Sequence, residues 1–154
     1  MKKELDKSKA SIFDEKTDPK KVNSAVVGDS DVDFKLVRNG TAPKLRDAKL
    51  LVHYEIGESN KELSLRITAN DKDGLFSREI LPVKQVAGCL SKQPKGAVFS
   101  SSIFASVFTK RSSNNAGFLA AILRAEKVLQ PVEDKLYQHK LVIDPKDLEK
   151  HLSK

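Results

Sequence analysis

A short polar loop carries the residue types that bind phosphate. Residues 109–115 read Thr-Lys-Arg-Ser-Ser-Asn-Asn and supply two cations, hydroxyl groups and two side-chain amides. A helix is expected to follow directly, so its first N–H groups and its dipole would also favour an anion. The chain has no Gly-x4-Gly-Lys-Ser/Thr motif, so this is not a nucleotide-binding P-loop. The loop predicts phosphate contacts by Lys110 and Arg111; alternatively, it is an exposed loop in which Asn114 or Asn115 only caps the helix.

A second basic turn, residues 92–96, precedes a Phe-rich segment that ends at the first loop. Residues 97–109 between the turns have large apolar groups at both odd and even positions, which predicts a central strand. Its phenylalanines are Phe99, Phe104 and Phe108. Cations at both ends of an aromatic strand suit a groove for single-stranded nucleic acid, with rings beneath the bases. The alternative places all three rings in the core, and the lack of Trp and of an RNP pattern argues against an extended stacking platform.

Both basic turns lie in a stretch without acidic residues. Between Ile80 and Ala125 there is neither Asp nor Glu, although six basic residues occur there. They are Lys84, Lys92, Lys95, Lys110, Arg111 and Arg124. Core residues explain part of the missing acids but not the retained bases. These six are therefore the predicted nucleic-acid contacts, with Lys84 and Arg124 secondary.

A further basic group precedes this stretch and is opposed by Asp47 alone. Its members are Lys35, Arg38, Lys44, Arg46 and Lys49. On a pair of strands these side chains either extend the same basic surface or form an ordinary solvated face.

The spacing of the histidines, acidic residues and cysteine indicates neither a metal site nor a catalytic site. The histidines, His53, His139 and His151, are far apart and lack the short spacing of a metal site. Residues 71–74 have the Asp spacing of a calcium loop, but Ala69 and Ile80 stand where the other ligands belong. Cys89 lies in an apolar helical pattern, which favours an inert buried thiol. We therefore predict no enzyme, no cofactor and no metal.

The hydrophobic periodicity defines the elements that position these residues. Residues 48–56 and 63–69 alternate apolar and polar side chains around turn residues 57–60, which predicts an antiparallel hairpin. Shorter strands are expected at 34–37, stopped by the turn dipeptide Asn39-Gly40, and near 75–81 and 136–143.

Helical spacing occurs in three segments. Residues 83–90 predict a short helix ended by Pro94, and residues 117–130 a longer one closed by Pro131. Asp144 and Pro145 have the chemistry of a cap and first residue of a terminal helix. The order predicts an α+β fold, with a mainly antiparallel sheet of about five to six strands and two or three helices.

The 154 residues suffice for one domain with a real core. Residues 1–30 are polar and nearly neutral, which predicts a flexible N-terminal arm before a single compact domain at 31–154. No apolar run approaches the length of a membrane helix, and the lysine-rich start lacks a signal peptide's apolar segment. The single cysteine excludes an internal disulfide and favours a reducing location, the cytoplasm, or a host cytoplasm or virion if the source is viral.

The net charge of +7 and the pI near 9.4 favour a polyanionic partner. We predict a protein that binds the phosphate backbone of nucleic acid largely without sequence preference. Single-stranded DNA or RNA is favoured, because neither longer helix shows several Arg, Asn or Gln residues on one face. The alternative is a viral or mobile-element assembly protein, matrix- or capsid-associated. It would form a homo-oligomer and place its basic face on an anionic membrane surface or a genome.

Overall fold

The computed structural model describes residues 33–72 and 74–154. The predicted N-terminal arm at 1–30 lies outside the described residues. The strands are β1 (Phe34–Pro43), β2 (Leu51–Ser59), β3 (Glu62–Asn70), β4 (Leu81–Pro82), β5 (Val98–Ser100), β6 (Leu129–Val132) and β7 (Lys135–Leu141). The α-helices are α1 (Val83–Ser91), α2 (Asn115–Ala125) and α3 (Leu148–Leu152), and 3₁₀ helices span Ser101–Val107 and Pro145–Asp147.

The α+β class with antiparallel strands is confirmed, but the strands form two sheets instead of one. β1 to β4 make a four-stranded meander in sequence order, and β5, β7 and β6 make a three-stranded sheet in that order. α2 contacts β1, β2, β6 and the longer 3₁₀ helix, and every residue from Phe118 to Leu123 is buried. One hydrophobic core joins residues of both sheets.

The hairpin predicted from period-two alternation is confirmed as β2 and β3. Its turn is tighter than predicted, because only Asn60 and Lys61 leave the strands, with φ of 52° and 65°. Two positive φ values suit the right-handed twist of a hairpin. Gly57 stays within β2, where a Cβ atom would collide with the Lys35 carbonyl and the Phe34 ring. The glycine therefore permits close packing and makes no turn.

The turn predicted at Asn39-Gly40 is wrong, because β1 continues through both residues to Pro43. Gly40 lies opposite Tyr54 in the β1–β2 register. A Cβ atom on Gly40 would stand 2.7 Å from the Tyr54 hydroxyl. The glycine thus makes room for a buried aromatic ring. This role depends on a residue of the neighbouring strand, so the turn propensity of Asn-Gly could not predict it.

The strand predicted at 97–109 is also wrong beyond its first residues. After the short β5, the chain turns into the 3₁₀ helix Ser101–Val107, which begins where the Ser100 side chain accepts a hydrogen bond from the Ser102 N–H. Such local serine hydrogen bonds compete with strand pairing. All three phenylalanines of the segment, Phe99, Phe104 and Phe108, are buried. They belong to the core, and none offers a stacking surface.

Two further boundaries differ from the predictions. The helix predicted at 117–130 begins at Asn115 and ends at Ala125, since Lys127 adopts a φ of 66° and Leu129–Val132 pairs with β7. Of the strand predicted near 75–81, only Leu81 pairs with β3, and the pairing extends to Pro82. The predicted cap at Asp144 is confirmed, because its side chain accepts a hydrogen bond from the Lys146 N–H at 3.0 Å.

Candidate nucleic-acid interface

An open groove of about 780 Å³ lies at the N-terminal end of α2, and we call it the serine groove. Small or hydroxyl-bearing residues form much of its lining, namely Ser100, Ser101, Ser102, Ala105, Ser112, Ser113, Ala116 and Gly117. A Cβ atom on Gly117 would meet no atom within 4 Å. Small side chains therefore surround the first turn of α2, whose Asn115 N–H already donates to the Ser112 carbonyl at 3.2 Å.

The N-terminus of α2 carries no side-chain cap. Asn114 precedes the helix, but its side chain donates to the Leu75 carbonyl at 2.9 Å, and the first turn contains no acidic residue. The Asn115 side chain accepts from the Ser77 N–H and donates to the Lys110 carbonyl. The alternative in which either asparagine side chain only caps the helix is therefore wrong. The first turn itself therefore supplies no carboxylate to offset the positive end of the helix dipole.

Two cations from the connection between β1 and β2 line the serine groove. Arg46 is exposed and makes no ion pair with another described residue. Lys44 is anchored, because its Nζ donates to Asn70 Oδ1 at 2.8 Å and lies 5.2 Å from the Phe118 ring centroid. Asp47 is the one carboxylate among the described lining residues. With two cations and one carboxylate, the described lining is net positive as well as open.

An exposed aromatic ring completes the serine groove. Tyr137 of β7 is 43% exposed and lines it. The sequence predicted only a strand near 136–143 here, and Tyr137 did not stand out as a ligand contact. Arg46 belonged to a basic group with two possible interpretations, so only the tertiary contacts associate it with residues 112–114.

The predicted phosphate loop already holds an anion of the protein itself. The Glu79 carboxylate accepts hydrogen bonds from the Thr109 N–H at 2.9 Å, the Lys110 N–H at 3.1 Å and the Ser77 hydroxyl at 2.6 Å. Burial raises the pKa of Glu79, but these hydrogen bonds outweigh it and the net pKa is lowered. The loop backbone is therefore occupied, while the side chains of Lys110 and Arg111 remain exposed.

Replacing Glu79 with alanine is expected to loosen this loop. The amides of Thr109 and Lys110 would lose their acceptor, so their hydrogen exchange should become about tenfold faster. The free energy of unfolding should fall by about 1–2 kcal/mol. Amide-resolved exchange by NMR measures the first effect and urea titration the second. Glu133→Ala, at an exposed acidic position, is the matched control. Unchanged exchange at both amides in the Glu79 variant would contradict the assignment.

The other predicted contacts do not lie along one groove. Lys95 lines a second groove, which shares no residue with the serine groove in the part of the chain that the structure describes, and Lys92 is exposed at the end of α1. Lys84 is exposed and its Nζ lies 3.3 Å from Glu62 Oε2. Lys110 and Arg111 directly precede residues 112–114 of the serine groove. The structure therefore associates one of the two basic turns, not both, with this groove.

Arg124 is used within the fold. Its Nη2 donates to the carbonyls of Leu136 and Gln138 at 3.2 Å and 3.0 Å, and its Nε donates to His139 Nδ1 at 3.0 Å. Burial lowers the pKa of Arg124. The guanidinium joins α2 to β7, and sequence spacing gave no signal of this contact.

The buried Ser101–His139 pair has the wrong polarity for nucleophilic catalysis. Because Arg124 donates to Nδ1 of His139, the neutral imidazole carries its proton on Nε2. That nitrogen lies 2.6 Å from Ser101 Oγ and donates to it. A catalytic histidine must instead accept the serine proton at this nitrogen. The pair is therefore a structural hydrogen bond.

Among the described residues, no group of three or more His, Cys, Asp or Glu side chains is arranged to hold a metal ion. No helix in this part of the chain is long and apolar enough to cross a membrane. Comparison with known proteins finds no match among family models, curated proteins or solved structures.

Proposed function

We propose that the protein binds single-stranded DNA or RNA through its phosphate backbone, largely without sequence preference. The serine groove and the adjacent side chains of Lys110 and Arg111 form the contact surface. One observation carries the proposal: Arg46, the first turn of α2, which has no side-chain cap, and the exposed ring of Tyr137 line the same open groove. Cations along a groove with an accessible ring are the elements of single-strand binding.

The preference for single strands over duplex rests on the helices. A recognition helix must project exposed side chains into the major groove. α2 is buried from Phe118 to Leu123, and only its first turn reaches the serine groove. A groove lined by serines and alanines suits a narrow, flexible backbone whose bases are free to stack on Tyr137.

Salt dependence and substitution test the proposal together. Fluorescence anisotropy with a labelled oligothymidine of about 15 nucleotides, between about 50 and 200 mM KCl, should give log K falling linearly with log salt. Removing Arg46, Lys110 and Arg111 should reduce the slope by about 2, since each phosphate contact on a single strand contributes about 0.7. Tyr137→Ala should weaken binding by about 1–3 kcal/mol and leave the slope unchanged.

The matched control removes three exposed lysines that do not line the groove, Lys127, Lys150 and Lys154. It changes the net charge by the same amount, so a general charge effect would lower the slope equally in both triple variants. That result, or binding without salt dependence, would refute the proposed surface. Tighter binding to duplex than to single strands would refute the preference.

Self-association is the second candidate, and one observation favours it. β1 is an outer strand of its sheet, and Leu36 and Val37 at its bulge are exposed. An outer strand with exposed apolar residues is a place where another chain can pair. Sedimentation at two protein concentrations without nucleic acid separates an assembling protein from a discrete binder.

A further inference from the structure

A second groove, of about 660 Å³, lies between α1 and the chain that follows β7, and we call it the α1 groove. Part of its lining is aliphatic: Ala87 of α1 and the segment Leu141–Ile143. Val142 is 52% exposed. Aliphatic side chains that stay open to solvent in a concave site gain free energy when a partner covers them.

Gly88 forms part of the helical wall of the α1 groove. It is exposed within α1, and a Cβ atom there would meet no atom within 4 Å. Glycine is among the poorest helix formers, so it disfavours this helix without relieving any crowding among the described residues. The helical wall of the groove is therefore open at this position, and a large side chain placed there would fill the groove.

The charge around the α1 groove is positive. Lys95 and Lys146 line it, and Lys92 lies nearby at the end of α1. Asp144 is the one carboxylate among the described lining residues, and it is paired with one of the two lining lysines: Oδ2 lies 3.8 Å from Lys146 Nζ and Oδ1 accepts from the Lys146 N–H. Aliphatic groups beside lysines are complementary to apolar side chains flanked by carboxylates.

We propose that the α1 groove binds a peptide segment of a partner protein in which acidic residues flank one or two bulky apolar residues. A peptide is favoured over nucleic acid because, among residues 33–72 and 74–154, those that line this groove include no aromatic ring on which a base could stack. This interaction is separate from the serine groove, since the two share none of their described lining residues.

The test uses the full chain labelled with ¹⁵N and a synthetic hexapeptide of sequence DELFDE, with KKLFKK as the charge-swapped control. Amide shifts should concentrate in residues 87–96 and 141–146, and the acidic peptide should bind at least about tenfold more tightly. Gly88→Trp fills the groove from an open position and should weaken binding about tenfold or more, whereas Gly88→Ala should keep the fold and most of the affinity.

Reversal of Lys95 and Lys146 to glutamate gives a second variant if the tryptophan disturbs the fold, and it should weaken binding by about tenfold or more. The proposal fails if the two peptides bind equally, if the shifts lie outside the groove, or if the folded Gly88→Trp protein binds unchanged. It also fails if oligothymidine shifts these amides more strongly than the peptide, which would assign the groove to nucleic acid. The two proposals can fail separately: loss of oligothymidine binding on substitution of Arg46 tests the serine groove, whereas the peptide titration tests the α1 groove.

Discussion

Replacing Glu126 with alanine is expected to lower the free energy of unfolding by about 3–5 kcal/mol. The Glu126 carboxylate, whose side chain is 10% exposed, accepts hydrogen bonds from Arg38 Nη1 at 2.8 Å and Nη2 at 2.7 Å. The Tyr54 hydroxyl donates to the same carboxylate. Without Glu126, the Arg38 guanidinium keeps only the Leu152 carbonyl as a described hydrogen-bond partner, and its buried Nε already has none among the described residues. A partly buried cation would then lack its counterion.

Urea titration at neutral pH measures this loss, with Glu133→Ala as the control at an exposed site. The double variant Arg38→Met, Glu126→Leu should regain much of the lost free energy of unfolding. Most of the loss in Glu126→Ala comes from leaving the Arg38 charge without a counterion, and the double variant contains no such charge. A loss below about 1 kcal/mol in Glu126→Ala would place the pair among ordinary surface ion pairs and contradict the interpretation. The effect should be large because the pair connects β1, the end of α2 and α3.

Acidification is expected to destabilise the protein through His139. Burial, and then the neighbouring Arg124 charge, lower the pKa of His139 from 6.5 to about 4. Between these values the unfolded chain binds a proton that the folded chain does not. The His139 contribution is therefore complete above pH 6.5 and is lost as the pH falls to about 4, a change of about 3 kcal/mol.

Comparison with His139→Gln isolates this contribution. Carboxylates with lowered pKa values, such as Glu79 and Glu126, also lose stabilisation on acidification, but they are present in both proteins. Glutamine cannot titrate, so the difference in unfolding free energy between the two proteins should shrink by about 3 kcal/mol from pH 6.5 to 4. A difference that does not change with pH would show that His139 titrates normally.

The features that the sequence alone determined depend on neighbouring residues. Period-two alternation located β2 and β3, and helical spacing located α1 and α2. The Asp144-Pro145 pair located the start of the terminal helical segment. In each case the element depends on residues a few positions apart, through a repeating pattern of buried side chains or through a cap two residues away. The exposure of Lys110 and Arg111 followed in the same way from an uninterrupted polar loop.

The conformation of the Phe-rich segment and the hydrogen bonds of the loop depend on contacts between residues far apart in the sequence. Residues 97–109 are apolar at odd and even positions because a 3₁₀ helix in this segment packs against both α1 and α2. A segment buried on several sides lacks the hydrophobic periodicity that distinguishes a helix from a strand. Glu79 lies 30 positions before Thr109, yet its carboxylate occupies the loop. In the proposed contact surface the loop therefore offers mainly its cations, while Arg46 and Tyr137 line the serine groove through a tertiary arrangement that no local pattern encodes.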